Sequence, residues 1–362
     1  MRLGIDVTPL FRPKTGVGVF TEMVLAHARE SGDEVVGIAS GYKMLARRDL
    51  DLGVPVRANW VPRYVNRLLP DLIPYPSVES LAGDLDAYLA TNYFMVPSRR
   101  AAKVAFIHDV GRVTRPQLYR PRQVARFKEV FRRCARFADL LITPTDAVAG
   151  EIVELGVVGP DRVRTVHLGV RKLSDDSAVD GNFRGNGPYV LCVGSRDRRK
   201  NLPFLVRAFV QAARELPHHL VVAGGGHGGK DLEAAVASAN GTAARIHLLG
   251  HTDEAMLGRL YKNAAFTVCP SLYEGFGLPI LEAMASGCPV LATDIEAHRE
   301  VAGNAARLIP IQSESLFAEN LIEFARDDRS RSDLRELGLR RSSEFTWDRT
   351  ARGVRDVITQ LR

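Results

Sequence analysis

Two carboxylates eight positions apart, Glu274 and Glu282, flank the glycine-bearing turn Gly275-Phe276-Gly277-Leu278. The apolar run Ala265–Cys269 ahead of that turn reads as a buried strand. Pro279 then suits the first turn of a helix, because its fixed φ fits there and its missing N–H costs nothing. Ile280 to Ser286 continue that helix, and Gly287 fits as its stop. Just before the helix, Gly275 and Gly277 leave the backbone open to a ligand. The helix start aims unpaired N–H groups and positive dipole at the same place, which makes an anion cradle without a lysine. Glu274 in the loop and Glu282 in the first helical turn would repel phosphates. They are better suited to accept hydrogen bonds from hydroxyl groups on either side of a diphosphate. A diphosphate with a polyol at each end is a nucleotide sugar. Strand, glycine loop and helix are also ordinary α/β grammar, in which a Glu near a helix start is favoured by the dipole alone.

The elements that must position this turn follow from the rest of the chain. A length of 362 residues suits two α/β domains rather than one. Apolar content of 46% with 25% charged residues describes a globular protein, and no apolar run approaches the roughly 20 residues that span a bilayer. The opening Met1-Arg2-Leu3-Gly4-Ile5-Asp6-Val7 reads as a strand, since Asp6 interrupts a short apolar core unlike that of a signal peptide. Cys134, Cys192, Cys269 and Cys288 have no metal-ligand spacing and read as reduced packing residues, which fits a cytoplasmic protein. Net charge is +7, and residues 1–172 hold 26 Lys/Arg against 18 Asp/Glu, so the front half carries the whole excess. Nucleic acid, an anionic membrane surface or an acidic substrate would each answer to it.

Taken in order, strands are expected at Arg2–Val7, Glu34–Ala39, Asp86–Thr91, Lys103–His108, Leu140–Thr143 and Arg162–His167, with helices between several of them. That alternation predicts a parallel doubly wound sheet. Gly16 and Gly18 form a strand-to-helix turn that introduces a helix from about Val19 to Arg29. His108 and Asp109 close a strand, where open α/β sheets bind ligands. The helix over Arg122–Phe137 has a core face of Val124, Phe127, Val130, Phe131, Cys134 and Phe137. Its arginines fall largely elsewhere on the wheel, which reads as a solvated basic face. Residues 61–76 are apolar, proline-broken and dotted with Arg, and suit an acceptor or membrane patch or a partly buried loop. A linker is expected over 173–187. The second domain opens with Tyr189–Gly194 and runs into Ser195-Arg196-Asp197-Arg198-Arg199-Lys200, a basic cluster at a strand-to-helix turn that suits phosphate oxygens. Further strands are expected at His219–Ala223, Arg245–Leu249, Ala265–Cys269 and Val290–Thr293, and a last helix over Trp347–Leu361.

The string Glu274-Gly-Phe-Gly-Leu-Pro-x-x-Glu282 resembles the E-x7-E signature of retaining family-4 glycosyltransferases of the two-Rossmann (GT-B) fold. The Gly-x5-Lys-Asn pattern from Gly194 through Lys200 to Asn201, the Gly16/Gly18 pair and His108-Asp109 resemble other motifs of the same family. The resemblance implies that Glu274 contacts the donor sugar and Glu282 the nucleotide ribose, while the Gly275, Phe276, Gly277 and Leu278 backbone holds the diphosphate. It implies Lys200 on the diphosphate. Ser195 stands where many members carry Arg, so Arg196 and Arg199 both remain candidates to replace it. It implies that His108 lies near the transferred sugar, with Asp109 toward the acceptor and Gly16 and Gly18 facing the cleft between the domains. Thr145 falls in a family segment that more often begins with Ser.

The expected fold is thus α/β, GT-B, with two Rossmann-like doubly wound domains facing a central cleft. An acceptor domain spans 1–172, with helix 347–362 packed back on it, and a nucleotide-sugar domain spans 188–346. The expected reaction is metal-independent hexosyl transfer with retention from a nucleoside-diphosphate sugar, GDP-mannose first, to a glycan or lipid-linked acceptor in surface-polysaccharide biosynthesis. No cofactor is expected beyond the donor itself. The expected location is cytoplasmic, peripheral at an anionic membrane face. The rivals are a GT-B nucleotide-sugar hydrolase or epimerase and, from another class, a basic nucleic-acid-binding protein. The latter lacks a recognition module with base-stacking aromatics.

Overall fold

The computed structural model describes residues 1–11, 15–40, 51–59, 76–171, 173, 187–226 and 229–361. The apolar-basic stretch expected at 61–76 and the linker expected at 173–187 therefore lie almost wholly outside the described residues. The chain divides into two compact units, Met1–Gly169 with Thr346–Arg362, and Val170–Phe345.

In the first unit, strands β1 (Arg2–Asp6), β2 (Glu34–Ser40), β3 (Val56–Asn59), β4 (Ala87–Ala90), β5 (Ala102–Phe106), β6 (Leu140–Thr143) and β7 (Val163–Thr165) form one parallel sheet in the order β3-β2-β1-β4-β5-β6-β7. The register pairs Ile5 with Gly37 on one side and with Leu89 on the other. The strands are short, nearly continuous apolar runs because helices cover both faces. The edge strand β3 is absent from the sequence expectation. The helix over Gly16–Glu30 begins at Gly16 rather than near Val19, since Thr15 caps it by accepting from the N–H of Gly18. Gly16 and Gly18 are therefore first-turn helical residues and not a loop. Helix Trp347–Thr359 packs on Gly16–Glu30, with Arg355 on Asp33 at 2.9 Å and the Thr350 hydroxyl donating to the His167 carbonyl at 2.8 Å.

The second unit repeats the plan. Strands β8 (Tyr189–Val193), β9 (His219–Ala223), β10 (Ile246–Gly250), β11 (Phe266–Cys269), β12 (Val290–Thr293) and β13 (Arg307–Ile309) are parallel in the order β10-β9-β8-β11-β12-β13. Leu205, Phe209, Leu220, Phe266, Phe317 and Phe324 fill the core on one face of the sheet. The chain winds from β8 outward to β10, then returns to the other side of β8 as β11. The loops after β8 and β11 consequently leave adjacent strands in opposite senses, and the crevice between them is where such sheets bind ligands. Both basic and acidic motifs of the sequence lie on these two loops. The four cysteines are free and buried, and burial pushes the Cys134 and Cys192 thiols up to about 12.

Candidate functional site

The loop after β8 turns through the short helical segment Arg198–Lys200 and a left-handed Asn201 (φ 55°) into helix Leu202–Ala212. Asparagine tolerates that conformation better than most residues. The turn folds Lys200 back along β8, where its stem lies over Gly194. A Cβ at Gly194 would sit 3.2 Å from Cδ of Lys200, so the glycine leaves room for the lysine. The loop after β11 ends at Gly277, whose φ of 107° belongs to the region that favours glycine, and helix Leu278–Ala285 begins there. Its first residue is Leu278 and Pro279 is its second. Glu282 accordingly stands beyond the first turn, not within it as the sequence suggests, because the helix starts earlier than Pro279.

The two loops are tied together. The Leu272 N–H donates to the Arg199 carbonyl at 2.8 Å, and Arg199 donates to Glu274 Oε2 at 2.5 Å. Lys200 Nζ donates to Glu274 Oε1, which also accepts from the Ser271 hydroxyl at 2.7 Å. Lys200 and Glu274 are each 8% exposed. Burial alone would push the Glu274 carboxyl up, but the ammonium of Lys200 and then the guanidinium of Arg199 outweigh it and hold the group well below the usual carboxylate range. The sequence expectation has Glu274 accept hydrogen bonds from hydroxyl groups and makes no pairing between it and the basic cluster. In the structure Glu274 pairs with both Lys200 and Arg199, because a cation as enclosed as Lys200 needs a counter-charge.

Of the two candidate arginines, Arg199 reaches this cluster. Arg196 instead faces Glu233 at 3.4 Å. Glu282 accepts from the Tyr261 hydroxyl at 3.2 Å, and its pKa is raised, since burial outweighs that hydrogen bond and the attraction of Arg171. The Gly275 and Phe276 backbone lies between the two carboxylates, with the Phe276 side chain buried against Phe345. Sequence reasoning missed Ser271, Tyr261 and His298 around this cluster. A hydroxyl three residues before Glu274 was a legible signal; the other two were brought in by folding alone.

In the first unit, His108 lies two residues beyond β5, at the corresponding end of its sheet. Its Nε2 is 3.0 Å from the Thr91 carbonyl, and the Thr91 hydroxyl donates to the Asp6 carbonyl at 2.6 Å, so the ends of β1, β4 and β5 are linked. A carbonyl can only accept, so Nε2 carries the ring proton. Burial between the Phe20 and Phe106 rings pushes its pKa down to about 4, against the opposing pull of Thr91 and Asp109. The imidazole is therefore neutral at neutral pH, with Nδ1 a bare acceptor. Asp109 is half-buried and accepts from the Gly111 N–H at 3.3 Å, where it starts the next short helix. At Gly18 neither φ nor packing demands glycine, since an added Cβ would meet only the Pro9 carbonyl at 3.8 Å. Glycine costs roughly 1 kcal/mol against alanine in a helix. Thr145 caps helix Asp146–Glu154 through the Val148 N–H at 3.2 Å, a structural use of its hydroxyl.

Among the described residues no group of three His, Cys, Asp or Glu side chains is placed to hold a metal ion. Among them, too, no helix is long and apolar enough to cross a membrane.

Comparison with known proteins agrees with this architecture. Residues 14–172 match the family model "Glycosyltransferase Family 4" and residues 187–327 match "Glycosyl transferases group 1". An O-antigen chain mannosyltransferase B of Escherichia coli is 28% identical over 274 residues, covering 70% of this chain and 69% of that protein. A phosphatidyl-myo-inositol mannosyltransferase of Mycolicibacterium smegmatis is 28% identical over 200 residues, covering 54% of this chain and 50% of its own length. Among solved structures, a sucrose-phosphate synthase of Thermosynechococcus elongatus superposes with a TM-score of 0.76 at 21% identity, covering 99% of this chain and 98% of its own. HepE of Anabaena, in complex with UDP and glucose, gives 0.73 at 17% identity, with 99% of each chain covered. The chain belongs to the family-4 glycosyltransferases, with the two Rossmann-like domains of the GT-B fold.

Proposed function

We propose that this transferase moves a hexose, mannose first, from a nucleoside-diphosphate sugar to a hydroxyl of a glycan or lipid-linked acceptor, with retention at the anomeric carbon and without a metal. One observation carries the reading: the enclosed Lys200–Glu274–Arg199 cluster at the start of helix Leu278–Ala285. With two cations on one carboxylate, the cluster keeps an excess of positive charge, and the helix dipole adds to it. A diphosphate takes Lys200 and Arg199 from Glu274, which frees that carboxylate to accept from sugar hydroxyls. Glu282, steadied by Tyr261, receives the ribose at the other end. These fixed charges stabilise the departing diphosphate as the anomeric C–O bond breaks and its electron pair passes to phosphate. The acceptor oxygen bonds to the same face of that carbon, and its proton passes to a phosphate oxygen. Neutral His108 is suited to receive a sugar hydroxyl at Nδ1 and to carry no charge itself. Mannose is favoured by the Escherichia coli relative, and a nucleotide donor by the UDP- and glucose-bound neighbour.

A panel of GDP-, UDP-, ADP- and dTDP-sugars tests this by thermal shift, since a ligand of the native state raises the melting temperature. At least one donor is expected to stabilise the protein and to be consumed with an acceptor glycan, giving a product of unchanged anomeric configuration by NMR. Absence of any stabilisation overturns the reading. Inhibition by EDTA with rescue by Mn²⁺ overturns the metal-free part.

A separate observation supports attachment to an anionic membrane face. Helix Pro121–Phe137 exposes Arg122, Arg126, Arg132 and Arg136, and Phe137 at its end, expected on the core face, is instead 45% exposed. Each basic group near such a surface contributes roughly 1 kcal/mol, fading within a Debye length. Co-sedimentation with anionic but not neutral vesicles, lost on Arg126→Glu/Arg132→Glu with donor binding intact, is the expected result. Arg63 and Arg67, the basic residues of the stretch 61–76 expected to suit a membrane patch, lie outside the described residues.

A further inference from the structure

The cavity beneath the glycine turn holds an imidazole that none of the roles above uses. His298, on helix Glu296–Ala302, is 1% exposed and lines that cavity together with Lys200, Ser271, Glu274, Gly277 and Ile280. Its Nδ1 lies 2.8 Å from the Thr293 carbonyl. A carbonyl has no proton to give, so Nδ1 is the protonated nitrogen and Nε2 keeps its lone pair. Nε2 has no hydrogen-bond partner among the described residues. The ring edge lies directly beneath the turn: a Cβ at Gly277 would be 3.4 Å from Cδ2 and 3.9 Å from Nε2. Burial, with Lys200 acting the same way, holds the ring's pKa below the usual value. Glu274, the Thr293 carbonyl and Asp294 pull the other way without reversing it.

This geometry selects the ligand atom. A bare imidazole nitrogen gains nothing from an ionised phosphate oxygen, which likewise offers only lone pairs. It needs a donor, and a sugar hydroxyl is the donor that a nucleotide sugar brings. Thr293 fixes the ring from behind, because its hydroxyl donates to the Ser271 carbonyl at 2.6 Å, three residues before Glu274 in the same loop. The acceptor nitrogen and the carboxylate therefore share one rigid support.

We propose that His298 is a sugar-recognising residue of the donor site, its Nε2 accepting a hydrogen bond from a hydroxyl of the transferred hexose. The proposal rests on the donor-site reading above and adds a specificity to it. Two acceptors, Glu274 and His298, favour a neutral hexose with free hydroxyls over a hexuronate, whose carboxylate would oppose both.

The test compares sugar-bearing and sugar-free ligands. Affinities of GDP-mannose against GDP, and of UDP-glucose against UDP, are measured by calorimetry for wild type, His298→Leu and His298→Gln. His298→Leu is expected to bind the sugar-bearing ligand about tenfold more weakly while holding the bare diphosphate within twofold. His298→Gln, which keeps an acceptor at nearly the same reach, recovers part of the loss and serves as the folded control. Equal weakening of both ligands, or of neither, overturns the proposal. Lys200→Ala separates the two levels of inference: if it leaves bare-diphosphate affinity unchanged, the donor-site reading fails first. If wild type binds neither pair, both fall together.

Discussion

Replacing Glu274 by Gln removes one charge and almost no volume, and the structure says where the consequence falls. Lys200 and Arg199 both lose their counter-ion, but unequally. The Lys200 side chain is 9% exposed and that of Arg199 is 22%, so Arg199 keeps some water while Lys200 is left enclosed and unpaired. Removing one partner of a buried ion pair costs about 3–5 kcal/mol. The lower figure applies here, because Gln still accepts hydrogen bonds from Lys200 and Ser271. A unit of this size loses about 2–4 °C of melting temperature per kcal/mol, so its transition is expected to fall by about 6–12 °C. Two further readouts distinguish lost charge from lost packing. The free variant lacks an anion that a nucleoside diphosphate supplies, so GDP or UDP should raise its melting temperature more than that of wild type, while hexosyl transfer is largely lost. The folded pKa of Glu274 is depressed, so its stabilisation is fully present above the ordinary value of 4.5 and is lost as pH falls below it. Wild type should therefore lose more stability than the variant on acidification from pH 5 to 3. The reasoning is refuted if Glu274→Gln melts within about 2 °C of wild type and gains no more from the diphosphate.

Three other outcomes are expected. Lys200→Ala should weaken nucleoside diphosphate binding by about 1.5–3 kcal/mol, the range for hydrogen bonds to charged groups; titration calorimetry checks this, and unchanged affinity removes the lysine from the site. Glu79 accepts at Oε1 from the N–H groups of Arg99 and Arg100 and from the Ser98 hydroxyl, which outweigh its burial and lower its pKa to about 2. Its stabilisation is present above 4.5 and lost as pH falls toward 2, and water screens much of it, so Glu79→Gln should lower stability at pH 7 by about 1 kcal/mol and flatten the acid limb of urea-unfolding profiles; a parallel limb rejects it. His108 titrates near 4 when folded and near 6.5 when unfolded, so the unfolded chain binds more protons between those values and stability falls as pH drops through that window. His108→Asn should remove that slope and cost most of the turnover, and unchanged turnover removes His108 from the chemistry.

The parts of the site legible in the sequence were those set by local chain geometry. A buried run, glycines and a proline mark the Gly275–Leu278 turn, and Gly194 six residues before Lys200 marks the other loop. What stayed illegible was pairing over distance. Arg196 and Arg199 differ only in which carboxylate folding brings to them, Glu233 or Glu274, and nothing local records that. His298 carries no periodic signature, since its meaning comes from Thr293 behind it and Gly277 above it. The edge strands Val56–Asn59 and Arg307–Ile309 are too short and too polar to announce themselves. At the first helix the signal was present and outweighed: Thr15 is a good cap, yet the glycines after it read as a turn.

The division of the chain also sets an order of assembly. The second unit is one continuous stretch, Val170–Phe345, whereas the first is completed only by Thr346–Arg362. During synthesis every strand of the second sheet leaves the ribosome before helix Trp347–Thr359 exists. Domains commonly mature from the amino end, as units. Here the earlier-made unit must wait, with the surface meant for Trp347, Ala351, Val354 and Ile358 uncovered, until the later-made one has already closed. A ribosome stalled before residue 347 would hold a nascent chain whose first unit, although made earliest, still lacks the helix that completes it.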